Sequence, residues 1–234
     1  MPADYRRILA FIDAETHEDV VRGCLRQFPD KLLGDWLGEL EEMGWLESRP
    51  ETDFHDLDFA QPLFAEPKLL AEDVKRLDRD ASSAGASLQK TGIYLSPERL
   101  QNRSPSIKKP AHTIVLVVED DPDQLSLADL RITLAGYKVR AANSARTLLS
   151  SLRSHGAPDI LLLDVELPDG NGFNILGQLR HHKILALLPV VMLTAKDDAE
   201  DIKKGLALGA DGYVTKPYSK NVLADAIRRV LKQQ

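Results

Sequence analysis

From Thr113 onward, short apolar runs alternate with segments of helical periodicity. Thr113–Val118 (TIVLVV) reads as a buried strand, and Asp123–Leu134 follows with apolar residues at helical spacing, Leu127, Leu130 and Leu134. Gly136 is placed to stop that helix. Tyr137–Ala142 predicts a second strand and Arg146–Arg153 a helix, and Asp159–Leu163 (DILLL) predicts a third strand before the turn-forming run 168–172. Phe173–Arg180 is helical, Pro189–Leu193 is strand four, Asp198–Leu208 is helical, Gly212–Thr215 is strand five, and Asn221–Leu231 closes as a helix. Apolar runs of this length separated by amphipathic helices predict a five-stranded parallel sheet covered on both faces. Right-handed crossovers make it a doubly wound α/β domain, with ligands beyond the carboxyl ends of the strands.

The first half of the chain has a different pattern. Residues 4–13, 18–28 and 30–43 each carry apolar positions at helical spacing. The third is the clearest, with Leu32, Leu33, Trp36, Leu37, Leu40 and Met43. Gly44 ends it, and Trp45–Arg49 starts a short wing-like strand. This predicts a mainly α, winged-helix-like module over residues 1–60. A connecting helix (Glu66–Arg79), an isolated strand (Thr91–Leu95) and a linker rich in Ser, Pro and Lys are expected over 61–111, and the α/β domain over 112–234.

Charge sharpens this division. Among 234 residues the formal net charge is −6, yet residues 1–60 hold 15 acidic against 6 basic residues, whereas residues 113–234 are balanced at 15 each. An acidic module is poorly suited to a phosphate backbone, which needs clustered Lys and Arg. Its third helix offers Asp35, Glu39, Glu41 and Glu42 against Lys31, and the wing region adds Glu51, Asp53, Asp56 and Asp58. The one cysteine, Cys24, excludes an internal disulfide. With no apolar run of membrane-spanning length and no leader pattern at the N-terminus, a soluble, cytoplasmic protein with no membrane partner is expected.

Chemistry is concentrated at the strand ends. Glu119, Asp120 and Asp121 follow strand one, Asp164 follows strand three, Thr194 strand four, and Lys216-Pro217 strand five. Carboxylates converging on one rim repel unless a cation lies between them, and a hard divalent ion with oxygen ligands, Mg²⁺, fits that demand. Such an ion would keep Asp164 ionised as a nucleophile, while a hydroxyl and an ammonium would hold the oxygens of a phosphoryl group. Asp121 reads differently, as a helix cap ahead of Pro122.

The motifs VVEDD, DILLLDVELPDGNG, PVVMLTA and GADGYVTKP, in this order and each after a predicted strand, resemble the receiver domain of two-component response regulators, which has a flavodoxin-like fold. The resemblance implies that Asp164 is the phosphoacceptor, served by a sensor histidine kinase or a histidine phosphotransfer protein. It implies Mg²⁺ bound by Asp120 and Asp164, by Glu119 through water, and by the backbone carbonyl of Glu166. Thr194 would hydrogen-bond the phosphate, Lys216 would pair with it, and the peptide before Pro217 would be cis. Tyr213 falls at the switch aromatic, and its ring is expected to turn inward as Thr194 moves toward the phosphate. The face built from the fourth helix, fifth strand and fifth helix, about Asp197 to Leu231, would then change its contacts and could pair two copies as a homodimer. Glu166 and Lys196 flank the site.

A phosphatase with a nucleophilic Asp is the competing enzyme class. It calls for an acid–base Asp two residues after the nucleophile, where this chain has Glu166, and here the acidic pair precedes Asp164. The reading is therefore a phosphoacceptor signalling protein rather than an enzyme. Its expected output is a protein contact made with an unidentified partner. DNA-binding transcriptional control through residues 1–60 and a phosphorelay intermediate remain the alternatives.

Overall fold

Strands buried on both faces must be apolar nearly throughout, and the runs at 114–118, 160–164 and 190–194 are such strands, whereas the edge run at 138–142 is largely exposed or half-buried. The computed structural model describes residues 54, 57–59, 71–195, 199–219 and 221–233, with residues 71–75 described as backbone only. The expected helices at 4–13, 18–28 and 30–43, the strand at 45–49, Cys24 and Lys196 lie outside the described residues. The chain divides into two units between Glu51 and Thr52, and everything described belongs to the second.

That unit runs α1 (Ala71–Thr91), β1 (Ile93–Leu95), α2 (Pro97–Gln101), a 3₁₀ turn at Pro110–His112, β2 (Ile114–Val118), α3 (Pro122–Leu134), β3 (Lys138–Ala142), α4 (Ala145–His155), β4 (Ile160–Asp164), β5 (Glu166–Leu167), β6 (Gly170–Asn171), α5 (Gly172–His181), β7 (Val190–Thr194), α6 (Ala199–Ala207), β8 (Gly212–Thr215) and α7 (Val222–Val230). The main sheet has the order β1-β8-β7-β4-β2-β3, and β5 and β6 form a separate two-stranded ladder. Strands β3, β2, β4, β7 and β8 are parallel, as expected, with Val118 opposite Leu163, Asp164 opposite Leu193 and Thr194 opposite Thr215.

Alternate strand residues serve two cores. Leu116, Val118, Leu161, Leu163 and Met192 face α4, α5, α6 and α1, whereas Val115, Val117, Leu162, Val191 and Val214 face α3 and α7. Local signals fix the helix starts: Asp121 accepts from the amides of Asp123 and Gln124 ahead of Pro122, and Ser144 and Thr147 form a capping box on α4. The leucines that marked α3 in the sequence, Leu127, Leu130 and Leu134, are exposed; the helix packs through Ala128 and Ile132. No described helix is long and apolar enough to cross a membrane.

Two segments depart from the expected division. The first is the region read as connecting helix, isolated strand and linker. β1 is not isolated: it pairs antiparallel with β8 as a sixth strand, Tyr94 opposite Tyr213. Helix α1 buries Leu77, Ala81, Ala84 and Leu88, the last three in the same core as α4, α5 and α6. It then reverses at Gly92, whose φ of +73° only glycine adopts without strain. The face expected to pair two copies of the chain is therefore covered by residues of the same chain. The second is the run of acids read as part of a wing within 1–60. Phe54, Leu57 and Phe59 between those acids are buried in the same core as α4 and α5, and Arg153 donates to the carbonyls of Phe54 (3.4 Å) and Leu57 (3.3 Å). Burial of three large apolar side chains outweighs the acids interleaved with them in the sequence.

Candidate functional site

The parallel register brings the ends of β2, β4, β7 and β8 to one rim, so residues far apart in sequence meet. Glu119 leaves β2, Asp164 ends β4, Thr194 ends β7, and Lys216 follows β8, its amide donating to the Thr194 carbonyl at 2.8 Å. The Lys216–Pro217 peptide is cis. Lys216 Nζ lies 2.6 Å from both Asp164 Oδ2 and Glu119 Oε2. Carboxylate oxygens of Glu119, Asp120 and Asp164 all lie within 4.8 Å of one another. These groups line a cleft of about 420 Å³ that also takes in Glu166 and Thr194.

Among the described residues, the cleft holds more carboxylates than cations. Glu119 is fully buried and Asp164 and Thr194 nearly so, while Asp120 is open to solvent. Burial raises the Glu119 pKa, and the charge of Asp164 adds to the rise. Hydrogen bonds from Lys216 and Tyr218 act against it. Among the described residues Glu119 Oε1 is buried without a hydrogen-bond partner, although a buried carboxylate oxygen ordinarily has one. Burial opposes the charge of Lys216, but its bonds to Asp164 and Glu119 outweigh that and raise its pKa, so it stays an ammonium. Three clustered carboxylates, one lysine and an orphaned buried oxygen form a donor set suited to a hard divalent cation. The Glu166 amide reaches Asp164 Oδ1 at 3.4 Å, which holds the start of β5 over the acceptor side of the cleft.

Two residues of this neighbourhood were missed in the sequence. Tyr218, just past Pro217, donates to Glu119 Oε2 at 3.1 Å, and burial followed by the Glu119 charge drives its own pKa upward. An aromatic residue directly after the Lys-Pro pair was the available signal. The other is Gly205. The Tyr213 ring is buried beneath α6, its hydroxyl 3.3 Å from the carbonyls of Asp201 and Ile202. A Cβ on Gly205 would lie 1.8 Å from that hydroxyl. Gly205, a glycine inside a helix, thus leaves the space that the buried Tyr213 ring occupies beneath α6. The sequence signal was a glycine interrupting the α6 pattern, at a cost of about 1 kcal/mol relative to alanine.

Residues 115–228 match the model of the response regulator receiver domain. They are a receiver domain. The curated relatives of this receiver domain include the transcriptional regulatory protein GltR of Pseudomonas aeruginosa, 36% identical over 119 residues, which are 51% of this chain and 49% of that protein. KdpE of Mycobacterium tuberculosis is 35% identical over 121 residues, 52% of each chain. The chain spans about half the length of the curated relatives it matches. Among solved structures, a putative response regulator from Chloroflexus aurantiacus is similar over its whole length and 53% of this chain, with a TM-score of 0.50 and 32% identity.

Proposed function

We propose that this chain is a cytoplasmic two-component response regulator whose Asp164 accepts a phosphoryl group from the phosphohistidine of a sensor histidine kinase or a histidine phosphotransfer protein. The observation that carries this reading is Lys216 Nζ held at 2.6 Å from Asp164 and Glu119 beside the exposed Asp120. A carboxylate oxygen of Asp164 attacks phosphorus, the P–N bond breaks with its electron pair going to the imidazole, which is released as histidine after taking a proton, and an aspartyl phosphate is formed. Mg²⁺ held by Asp120, Asp164, Glu119 and the Glu166 carbonyl would neutralise charge on the phosphoryl oxygens. Lys216 keeps an ammonium beside the acceptor and pairs with a phosphoryl oxygen, and the Thr194 hydroxyl donates to another. The chain acts as a phosphoacceptor and switch rather than as an enzyme with a released product.

The output is a change of protein contacts. The names of the relatives favour transcriptional control, but the excess of 15 acidic over 6 basic residues in 1–60 opposes a phosphate backbone. The experiment is intact mass after incubation with acetyl phosphate and Mg²⁺, beside the Asp164→Asn variant. A single hydroxylamine-labile phosphoryl adduct on the wild type, absent from the variant, is expected. An equal adduct on both would place the acceptor elsewhere. The same preparation titrated against labelled duplex should show no salt-dependent binding; a steep salt slope would restore the transcriptional reading.

A further inference from the structure

A sheet edge with free N–H and C=O groups is a template for another strand, and β8 would be that edge if the sheet ended with its parallel strands. It does not end there. Residues 71–103 close it with one short strand and a set of anchors on both sides. β1 contributes only Ile93, Tyr94 and Leu95 to the ladder, extended at its ends by Thr215 N–H to the Gly92 carbonyl (3.1 Å) and Ser96 N–H to the Asp211 carbonyl (2.9 Å). Beyond the strand, Arg103 donates to Asp211 at 2.7 and 2.8 Å and Arg99 at 3.3 Å, while Asp78 on α1 pairs with Lys203 on α6 at 2.5 Å. Ser87 and Thr91 hydroxyls hold the Ile93 carbonyl at 2.7 and 3.1 Å, tying the end of α1 to the strand.

We propose that residues 71–103 are an intramolecular cap on the β8 edge that keeps a second copy of this chain from pairing there. The occupant excluded is a second copy because β1 pairs antiparallel, and two β8 edges related by a two-fold axis would pair in that same sense. The cap is tethered, so its effective concentration is of millimolar order, and a second copy at micromolar concentration loses the competition. Pairing of two copies thus requires the cap to leave first, and a three-residue strand is short enough to leave without dismantling the five parallel strands behind it.

The test uses the full chain. In Tyr94→Pro the strand loses its central ladder donor. Self-association is measured by sedimentation equilibrium, and amide exchange of residues 212–215 is followed by mass spectrometry over a range of protein concentration. Expected for the variant are at least tenfold tighter self-association than wild type, and exchange at 212–215 that is fast when dilute and slows as concentration rises. In the wild type, protection of 212–215 should not depend on concentration. Any association through residues 1–51 is common to both chains, so the comparison isolates the cap. If Tyr94→Pro lacks a cooperative thermal transition, Arg103→Glu, which sets two acids together at Asp211, carries the same measurements. A folded variant that associates no more tightly than wild type, or wild-type protection that grows with concentration, would overturn the cap.

Discussion

Two buried clusters of acid and base sit at opposite ends of β8, and they are built on opposite plans. At the carboxyl end, Glu119, Asp120 and Asp164 share Lys216, and Glu119 Oε1 has no partner among the described residues. At the amino end, Asp211, fully buried, accepts from Arg99, Arg103, Arg180 and the Val190 amide. Arg180 also donates to the carbonyls of Ala186, Leu188 and Gly209, and despite Asp211 its burial brings its pKa down to about 10. One carboxylate with three guanidiniums is a closed arrangement with every acceptor used. Three carboxylates with one ammonium is an open one that gains when cations or a phosphoryl group arrive. Satisfied buried charge fixes structure; unsatisfied buried charge at a strand end makes a site.

The largest effect that would break this contrast is at Asp211. Asp211→Ala leaves Arg180 and Arg103, both partly buried, without their acid, and a loss of about 3 kcal/mol is expected in urea denaturation. A loss no greater than that of a surface substitution would show the amino-terminal cluster to be dispensable. The opposite sign is expected at Asp164. Asp164→Asn removes one of three crowded acids while Glu119 still holds Lys216, so the same measurement should give a gain of about 0.5–2 kcal/mol. A loss there would make the two clusters alike.

The smallest effect is a slope with pH. Burial gives Glu119 a higher pKa in the folded chain than its ordinary 4.5, so the folded state binds the proton more tightly than the unfolded state. Stability from this group is therefore fully present below that ordinary value, falls as pH rises through the raised one, and is level above it. Glu119→Gln should remove this falling limb in thermal unfolding followed across mildly acidic to neutral pH. A limb that persists in the variant would assign the titration to another group.

The inner parallel strands were legible because doubly buried strands are unbroken apolar runs such as Ile160–Leu163, and the site was legible because its polar residues terminate those runs. For β1 the strand itself was legible, at Thr91–Leu95, but its place in the sheet was not. Three residues carry little periodicity, and the partner that makes Ile93–Leu95 a strand lies at Gly212–Val214, which no local pattern reveals. Helix α3 shows a second limit: Leu127, Leu130 and Leu134 signalled a helix correctly, but the buried stripe consists of Ala128 and Ile132. Phe54, Leu57 and Phe59 were obscured by interleaved acids, since a mixed run reads as solvated until something apolar is found for it to cover. Gly205 interrupts the α6 pattern visibly, but the sequence does not say which ring the missing atom makes room for, since Tyr213 lies on another element.

The place of β1 in the sheet also sets a schedule for the ribosome. Its strand neighbour is made far later than β1 itself, so at ~5–20 residues per second Ile93, Tyr94 and Leu95 emerge on the order of ten seconds before Gly212–Val214 exist to receive them. Through that interval the nascent chain carries an unpaired apolar strand while β2, β3, β4 and β7 assemble beside it. A chain released early, anywhere before β8, would keep that strand exposed for good, so the segment that seals the finished edge is a mark of incompleteness in a truncated one.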